Sequence, residues 1–97
     1  MADRAFDWDP AKNRLNYRKH GIDFETATEV LEDNLSIEEL DPRSPSYAED
    51  RYRVIGMAGG VLLTVVCTER DETIRIISAR NAGKREHDNY YSQNSQP

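Results

Sequence analysis

The stretch RYRVIGMAGGVLLTVVCTERDETIRIISAR, residues 51 to 80, leaves this chain little choice of fold. Three runs rich in β-branched and large apolar residues are separated by Gly59-Gly60 and by Asp71-Glu72. Two residues is the loop length that joins antiparallel strands through a tight hairpin, and a glycine pair is the stronger of the two signals. The reading is a three-stranded antiparallel meander. Counting back from the turns sets Ala58 opposite Val61 and Arg70 opposite Thr73, which aligns Arg51, Thr68 and Arg75 across the strands. Facing residues share a side of the sheet, so one face carries Arg51, Arg53, Arg70 and Arg75. The reverse face carries Tyr52, Val54, Leu63, Val65, Cys67, Ile74 and Ile76, a core surface. The arginine face ends in Ile55, Met57, Leu62, Ile77 and Ala79, which need a cover such as a helix. On the same count Arg80 takes the core-facing parity at the strand end. There it caps the following helix, pairs with Glu86 or reaches a ligand, and spacing alone leaves the three open.

The N-terminal half reads as helices. Ala5 to Trp8 suits a short edge strand; Asp9-Pro10 then supplies an N-cap and a proline at the first helical position. The first helix runs from Pro10 to about His20 and stops at Gly21. Asp23 caps a second, whose Phe24, Ala27, Val30 and Leu31 share one side at helical spacing. Ser36 to Leu40 fits a short strand, and DPRSPSYAED is a turn-rich connection. A last helix opens at Asn81 or Ala82 and runs to about Tyr91, leaving residues 92–97 as a disordered tail. The expectation is one α+β domain over residues 1–91: an antiparallel sheet packed with two N-terminal helices and one C-terminal helix.

Charge divides the chain. The net value of -5 argues against nucleic acid, yet residues 1 to 50 hold thirteen acids against six bases and residues 51 to 97 five acids against seven bases. Six of those seven are arginines, whose planar fork suits phosphate and carboxylate. Clustered like charges repel unless offset. Either the nearby Glu49, Asp50, Glu69, Asp71 and Glu72 offset them as surface ion pairs, or the face is a phosphate-binding concavity. On the first helix Lys12, Asn16, Lys19 and His20 fall on one stripe; such a stripe is usually solvated surface, but imidazole exchanges a proton near neutral pH. Tyr90 reads as a docking aromatic or a platform for a base. The lone Cys67 reads as a buried thiol, and two histidines and one cysteine lie too far apart for metal-ligand spacing. With no apolar leader in MADRAFDWD and no span of membrane length, the cytoplasm is the expected location.

The segments FDWDPAKNRLNYRKHGIDFETATEVLED, EDRYRVIG and TERDETIRIISARNAGKREHDNY, above all KHGIDF and RIISAR in that order and separation, resemble the BrnT family of toxins from type II toxin–antitoxin modules. The matching positions include Trp8, Asp9, Lys12, Asn16, Lys19, His20, Gly21, Phe24, Arg51, Arg70, Arg75, Ser78, Arg80, Glu86 and Tyr90. The pattern departs from the family at Val61, where a basic residue is usual, and at Cys67, where an aromatic is usual. The resemblance implies a RelE-like fold, a metal-independent endoribonuclease that arrests translation, and no cofactor. It also implies a BrnA-like antitoxin partner with a ribbon-helix-helix part, through which alone operator DNA is reached.

Cleavage of that kind sets a ribose 2′-hydroxyl against the adjacent phosphate. It needs a base, cations for the charge growing on phosphorus oxygens, and an acid for the leaving oxygen. On this reading Arg70, Arg75 and Arg80 supply the cations, with His20 or Lys19 as base or acid; Lys12, Arg51, Arg53, Lys84 and Tyr90 hold RNA. The alternative is a non-catalytic module whose arginines dock a partner's acidic segment or operator phosphates.

Overall fold

The computed structural model describes residues 5–43 and 49–95. Residues 44–48, most of the turn-rich connection, and 96–97 of the expected tail lie outside the described residues. The elements are β1 (Ala5–Trp8), α1 (Pro10–His20), α2 (Phe24–Leu31), β2 (Ile37–Leu40), β3 (Tyr52–Ala58), β4 (Val61–Arg70), β5 (Thr73–Asn81) and α3 (Lys84–Asn94). The meander and all three helices of the sequence reading are present. The sheet is five-stranded, in the order β1-β5-β4-β3-β2. It is mixed rather than antiparallel, because β1 joins β5 in parallel register; a strand followed by helices returns to the sheet this way. Helix α3 continues to Asn94, past the expected end near Tyr91, and the Asn94 amide donates to the Leu35 carbonyl at 3.0 Å. The expected tail therefore does not begin at Ser92.

Local chemistry explains the starts and stops. Asp9 accepts from the Ala11 N–H at 2.9 Å ahead of Pro10, and Gly21, at φ 72°, donates to the Tyr17 carbonyl at 2.8 Å to close α1. Asp23 caps α2 through the Thr26 N–H at 2.7 Å. One sheet face buries Val54, Leu63, Val65, Cys67, Ile74 and Ile76 against Phe24, Ala27 and Val30 of α2, with Trp8 edge-on to Phe24 at 6.1 Å. At Gly56 the approach is so close that a Cβ would lie 3.0 Å from the Val30 carbonyl oxygen. The other face is covered at one end only, by α3, where Tyr90 packs on Ile55 and Leu62. This is the cover that the apolar end of the arginine face demanded.

Both turns hold positive φ at their two central residues, Gly59 (56°) and Gly60 (82°) in one, Asp71 (48°) and Glu72 (68°) in the other. Glycine adopts that conformation freely, whereas a glutamate there costs on the order of 1 kcal/mol. Glu72→Gly is therefore expected to raise the melting temperature by about 4–8 °C in thermal unfolding monitored by circular dichroism. An unchanged or lower value contradicts the turn assignment.

The edge strands are short, and two polar side chains finish their work. β1 ends with Trp8 beside Ile76, leaving the β5 edge beyond it bare. Asn16 of α1 supplies what is missing: its amide donates to the Ala79 carbonyl at 2.8 Å and accepts from the Ala79 N–H at 3.1 Å. It also donates to the Ile22 carbonyl at 2.9 Å. At the opposite edge Asp33 accepts from the Met57 N–H at 2.8 Å, past the last β2 pairing at Ile37 and Ile55. Burial opposes the Asp33 charge, but donors from Met57, Leu35 and Tyr90 outweigh it and hold the carboxyl below its ordinary range.

Candidate nucleic-acid interface and active site

The register follows the sequence count up to a single irregularity. Arg70 faces Thr73, Thr68 faces Arg75 and Cys67 faces Ile76, but Val66 faces Ser78, so Ile77 is an extra residue in β5. The bulge corrects two expectations at once. Ala79 turns into the core opposite Val65, and Arg80 turns out of it, opposite Thr64, onto the face that carries Arg53. The core-facing parity assigned to Arg80 by uninterrupted alternation does not hold, because one inserted residue inverts every side chain after it.

The arginines form a stripe rather than one pocket. Seven residues of strand separate Thr73, which faces Arg70, from Arg80, a span of roughly 23 Å at strand rise. Arg70 therefore does not converge with Arg80, and Arg75 lies between them. Along the stripe the cations meet carboxylates: Arg70 with Glu49 (2.5 Å), Arg75 with Asp7 (3.2 Å), Arg53 with Glu39 (2.6 Å) and Arg80 with Glu86 (2.7 Å). Of the acids named from sequence as neutralisers, Glu49 takes that role; Asp7 and Glu39 come from β1 and β2, whose pairing partners the sequence did not disclose.

One end of the stripe is concave. A cleft of about 320 Å³ opens between the sheet and the start of α3, lined by Arg53, Arg80, Lys84, Arg85, Glu39 and Glu86. Arg80 donates through Nη1 and Nη2 to the two Glu86 oxygens and through Nη1 to the Asn81 carbonyl. Of its five donors, Nε–H and one Nη2–H have no acceptor among the described residues. Arg53 keeps Nε–H buried with no acceptor among the described residues. Burial works against the Glu86 charge, yet Arg80 and the Gly83 N–H, donating at 2.8 Å, outweigh it and hold the carboxyl at about 2. The buried Thr64 hydroxyl lies beside the same carboxylate, short of a well-formed hydrogen bond. Glu86 is thus a fixed anion that orients Arg80 and tethers the first turn of α3. The carboxylate in turn raises the Arg80 guanidinium above its ordinary value, by hydrogen bonding first, against the effect of desolvation.

The other residues singled out from sequence are dispersed. Lys84 stands at the cleft rim, paired with Asp88 at 3.0 Å. Arg51 lies just ahead of β3, half-buried. Lys12 and Lys19 are exposed and His20 is half-buried, and Asn16 ties α1 to the β5 backbone at Ala79. Tyr90 is no base platform: it is 3% exposed, its hydroxyl donates to Asp33 at 2.8 Å, and burial followed by that contact pushes it up to about 12. Sequence reading missed Glu39 and Arg85. Pairing β2 against β3 would have found Glu39 opposite Arg53. Among the described residues no helix is long and apolar enough to cross a membrane, and no group of three or more His, Cys, Asp or Glu is placed to hold a metal ion.

No curated protein matches the chain. A family model, described as the ribonuclease toxin BrnT of type II toxin–antitoxin systems, matches residues 8–86. That span runs from Trp8, the last residue of β1, to Glu86 in the cleft and contains β2 to β5, the bulge and the arginine stripe. The chain belongs to the BrnT family of ribonuclease toxins.

Proposed function

We propose that this chain is a metal-independent endoribonuclease, RelE-like in its fold, whose Arg53–Arg80 cleft receives the phosphate to be cut. The observation that carries the reading is the bulge at Ile77, which sets Arg80 on the face of Arg53 at the mouth of a cleft. The ribose 2′-oxygen forms a bond to phosphorus as the bond from phosphorus to the 5′-oxygen breaks. A base takes the 2′ proton, an acid returns one to the leaving oxygen, and the products are a 2′,3′-cyclic phosphate and a 5′-hydroxyl. The uncommitted N–H groups of Arg80 and the Arg53 guanidinium stabilise the charge that grows on the phosphorus oxygens. Arg75, Arg51 and Arg70 extend the cationic track along the sheet, and Lys84 and Arg85 flank the cleft. His20, one helical turn beyond Asn16, is the candidate base or acid, with Lys19 beside it. Cleavage of cytoplasmic RNA in this way arrests translation. An antitoxin with a ribbon-helix-helix part silences it by presenting carboxylates to the stripe and carries it to operator DNA.

One observation favours a second reading. Arg53, Arg70, Arg75 and Arg80 already hold carboxylates, which is also how a non-catalytic module would receive an acidic partner segment. Incubating the purified chain at micromolar concentration with mixed RNA in excess EDTA decides between them. The ribonuclease reading expects RNA fragmentation that His20→Ala diminishes at unchanged melting temperature. Intact RNA from a chain whose expression still halts growth selects the binding module.

A further inference from the structure

We propose that the outer face of α1 is a docking surface for single-stranded RNA, with the hollow between α1 and α2 receiving one nucleobase. This rests on the ribonuclease reading and names a further surface on which the substrate is held. Helix α1 carries Lys12, Arg14, Arg18 and Lys19 and no acid, in a chain whose net charge is -5. All four cations are exposed, and none forms an ion pair with another described residue. On the stripe, by contrast, a phosphate must compete with Glu39, Asp7, Glu49 or Glu86. A polyanion therefore meets α1 without displacing a carboxylate, and gains the full counterion release.

The hollow makes the surface more than a charged helix. It is an open depression of about 420 Å³ lined by Asn13, Arg14, Tyr17, Arg18 and Asp23, a shape that admits a flat ring from solvent. Tyr17 is 58% exposed and lines the hollow together with Arg14 and Arg18, which lie one turn apart on the helix. Asn13 Oδ1 accepts from the Phe24 N–H and Asp23 Oδ1 from the Thr26 N–H, and the Asn13 amide N–H groups and Asp23 Oδ2 have no partner among the described residues. A flat ring, a donor and an acceptor answer a base that carries an amino group beside a ring nitrogen, and the flanking cations answer its phosphates. An acidic peptide would satisfy the cations, but its carboxylates have nothing to lay on Tyr17.

The test is fluorescence anisotropy with a 2′-O-methyl oligonucleotide of about 10 nucleotides, a length matched to single-strand sites. The blocked 2′-oxygen cannot attack, so binding is read whether or not the chain cuts RNA. Arg14→Ala/Arg18→Ala is expected to weaken binding at least about tenfold and to flatten the log–log salt slope by about 1.4, two single-strand phosphate contacts. Tyr17→Leu, which leaves charge unchanged, is expected to weaken it about five- to tenfold at the wild-type slope. Wild-type affinity in both variants overturns the docking surface. So does a loss of binding to a poly-glutamate peptide with RNA binding intact, which would assign the face to an acidic protein. A chain that binds the oligonucleotide through α1 yet cuts no RNA keeps this proposal and removes the ribonuclease reading; a chain that cuts RNA while both variants bind normally does the reverse.

Discussion

Arg80→Ala is expected to lower RNA cleavage by about 10²–10³-fold, the cost of removing one preorganised group from the site of growing negative charge. The bulge turns this side chain toward the cleft, and Glu86 fixes its fork there at 2.7 and 2.9 Å. Truncation also leaves the Glu86 carboxylate, 8% exposed, without its cation, so some stability is lost with activity. Arg80→Lys separates the two effects. It keeps the charge near Glu86 but not the fork, and is expected to retain the fold and lose about tenfold or more in rate. The same pair gives a pH signature. Glu86 is held at about 2 in the fold against 4.5, so its stabilisation is present above about 4.5 and fades as pH falls toward about 2. The full shift corresponds to about 3 kcal/mol; with the Arg80 side chain 38% exposed, solvent screening reduces this to about 1–2 kcal/mol. Urea unfolding of Glu86→Gln should therefore show a shallower loss of stability across that window than the native chain. Identical acid limbs for the two proteins contradict the Glu86 assignment.

Asn16→Ala is expected to lower stability by about 3 kcal/mol and the melting temperature by about 15 °C. Three backbone groups depend on this side chain: the Ala79 N–H, the Ala79 carbonyl and the Ile22 carbonyl. Asn16 is 7% exposed, so water does not readily replace it. Asn16→Asp should be at least as damaging, since a carboxylate would face two carbonyls. Asn13→Ala, which forfeits one bond to the Phe24 N–H, should cost only about 1 kcal/mol, and Lys12→Ala on the open surface less than about 0.5 kcal/mol. An Asn16→Ala loss under about 1 kcal/mol would mean that α1 is held to the sheet by something other than this contact.

Arg80 and Asn16 are both places where the sequence alone misleads, within a meander that it does specify. The meander was legible because its turns are two residues long and its alternation is strict, and the pairings Ala58 to Val61 and Arg70 to Thr73 follow from counting. The bulge was not legible. TIRIISAR alternates without a break, and nothing in Ile77 or Ser78 announces that one of them lacks a partner; the inversion of Ala79 and Arg80 follows from packing Ala79 into the core. Asn16 looked like one member of a cationic stripe, because helical spacing says which residues share a side but not which side meets a strand edge. Tyr90 was ambiguous for the same reason: only the position of Asp33, fixed by the Met57 N–H, shows that its hydroxyl is already held. The carboxylates of the stripe were half legible, since Glu49 continues the β3 register toward Arg70 while Asp7 and Glu39 arrive on edge strands whose neighbours no local pattern specifies.

The central claim is that a ribose hydroxyl, not an added metal-bound water, is the nucleophile, and that Arg80 stabilises its transition state. The ends of the cut RNA report on this directly. Mass spectrometry of fragments made in EDTA should find 2′,3′-cyclic phosphates and 5′-hydroxyls, abundant from the native chain and reduced about 10²–10³-fold with Arg80→Ala. Fragments that carry 5′-phosphates, or cyclic ends formed equally well without Arg80, would contradict it.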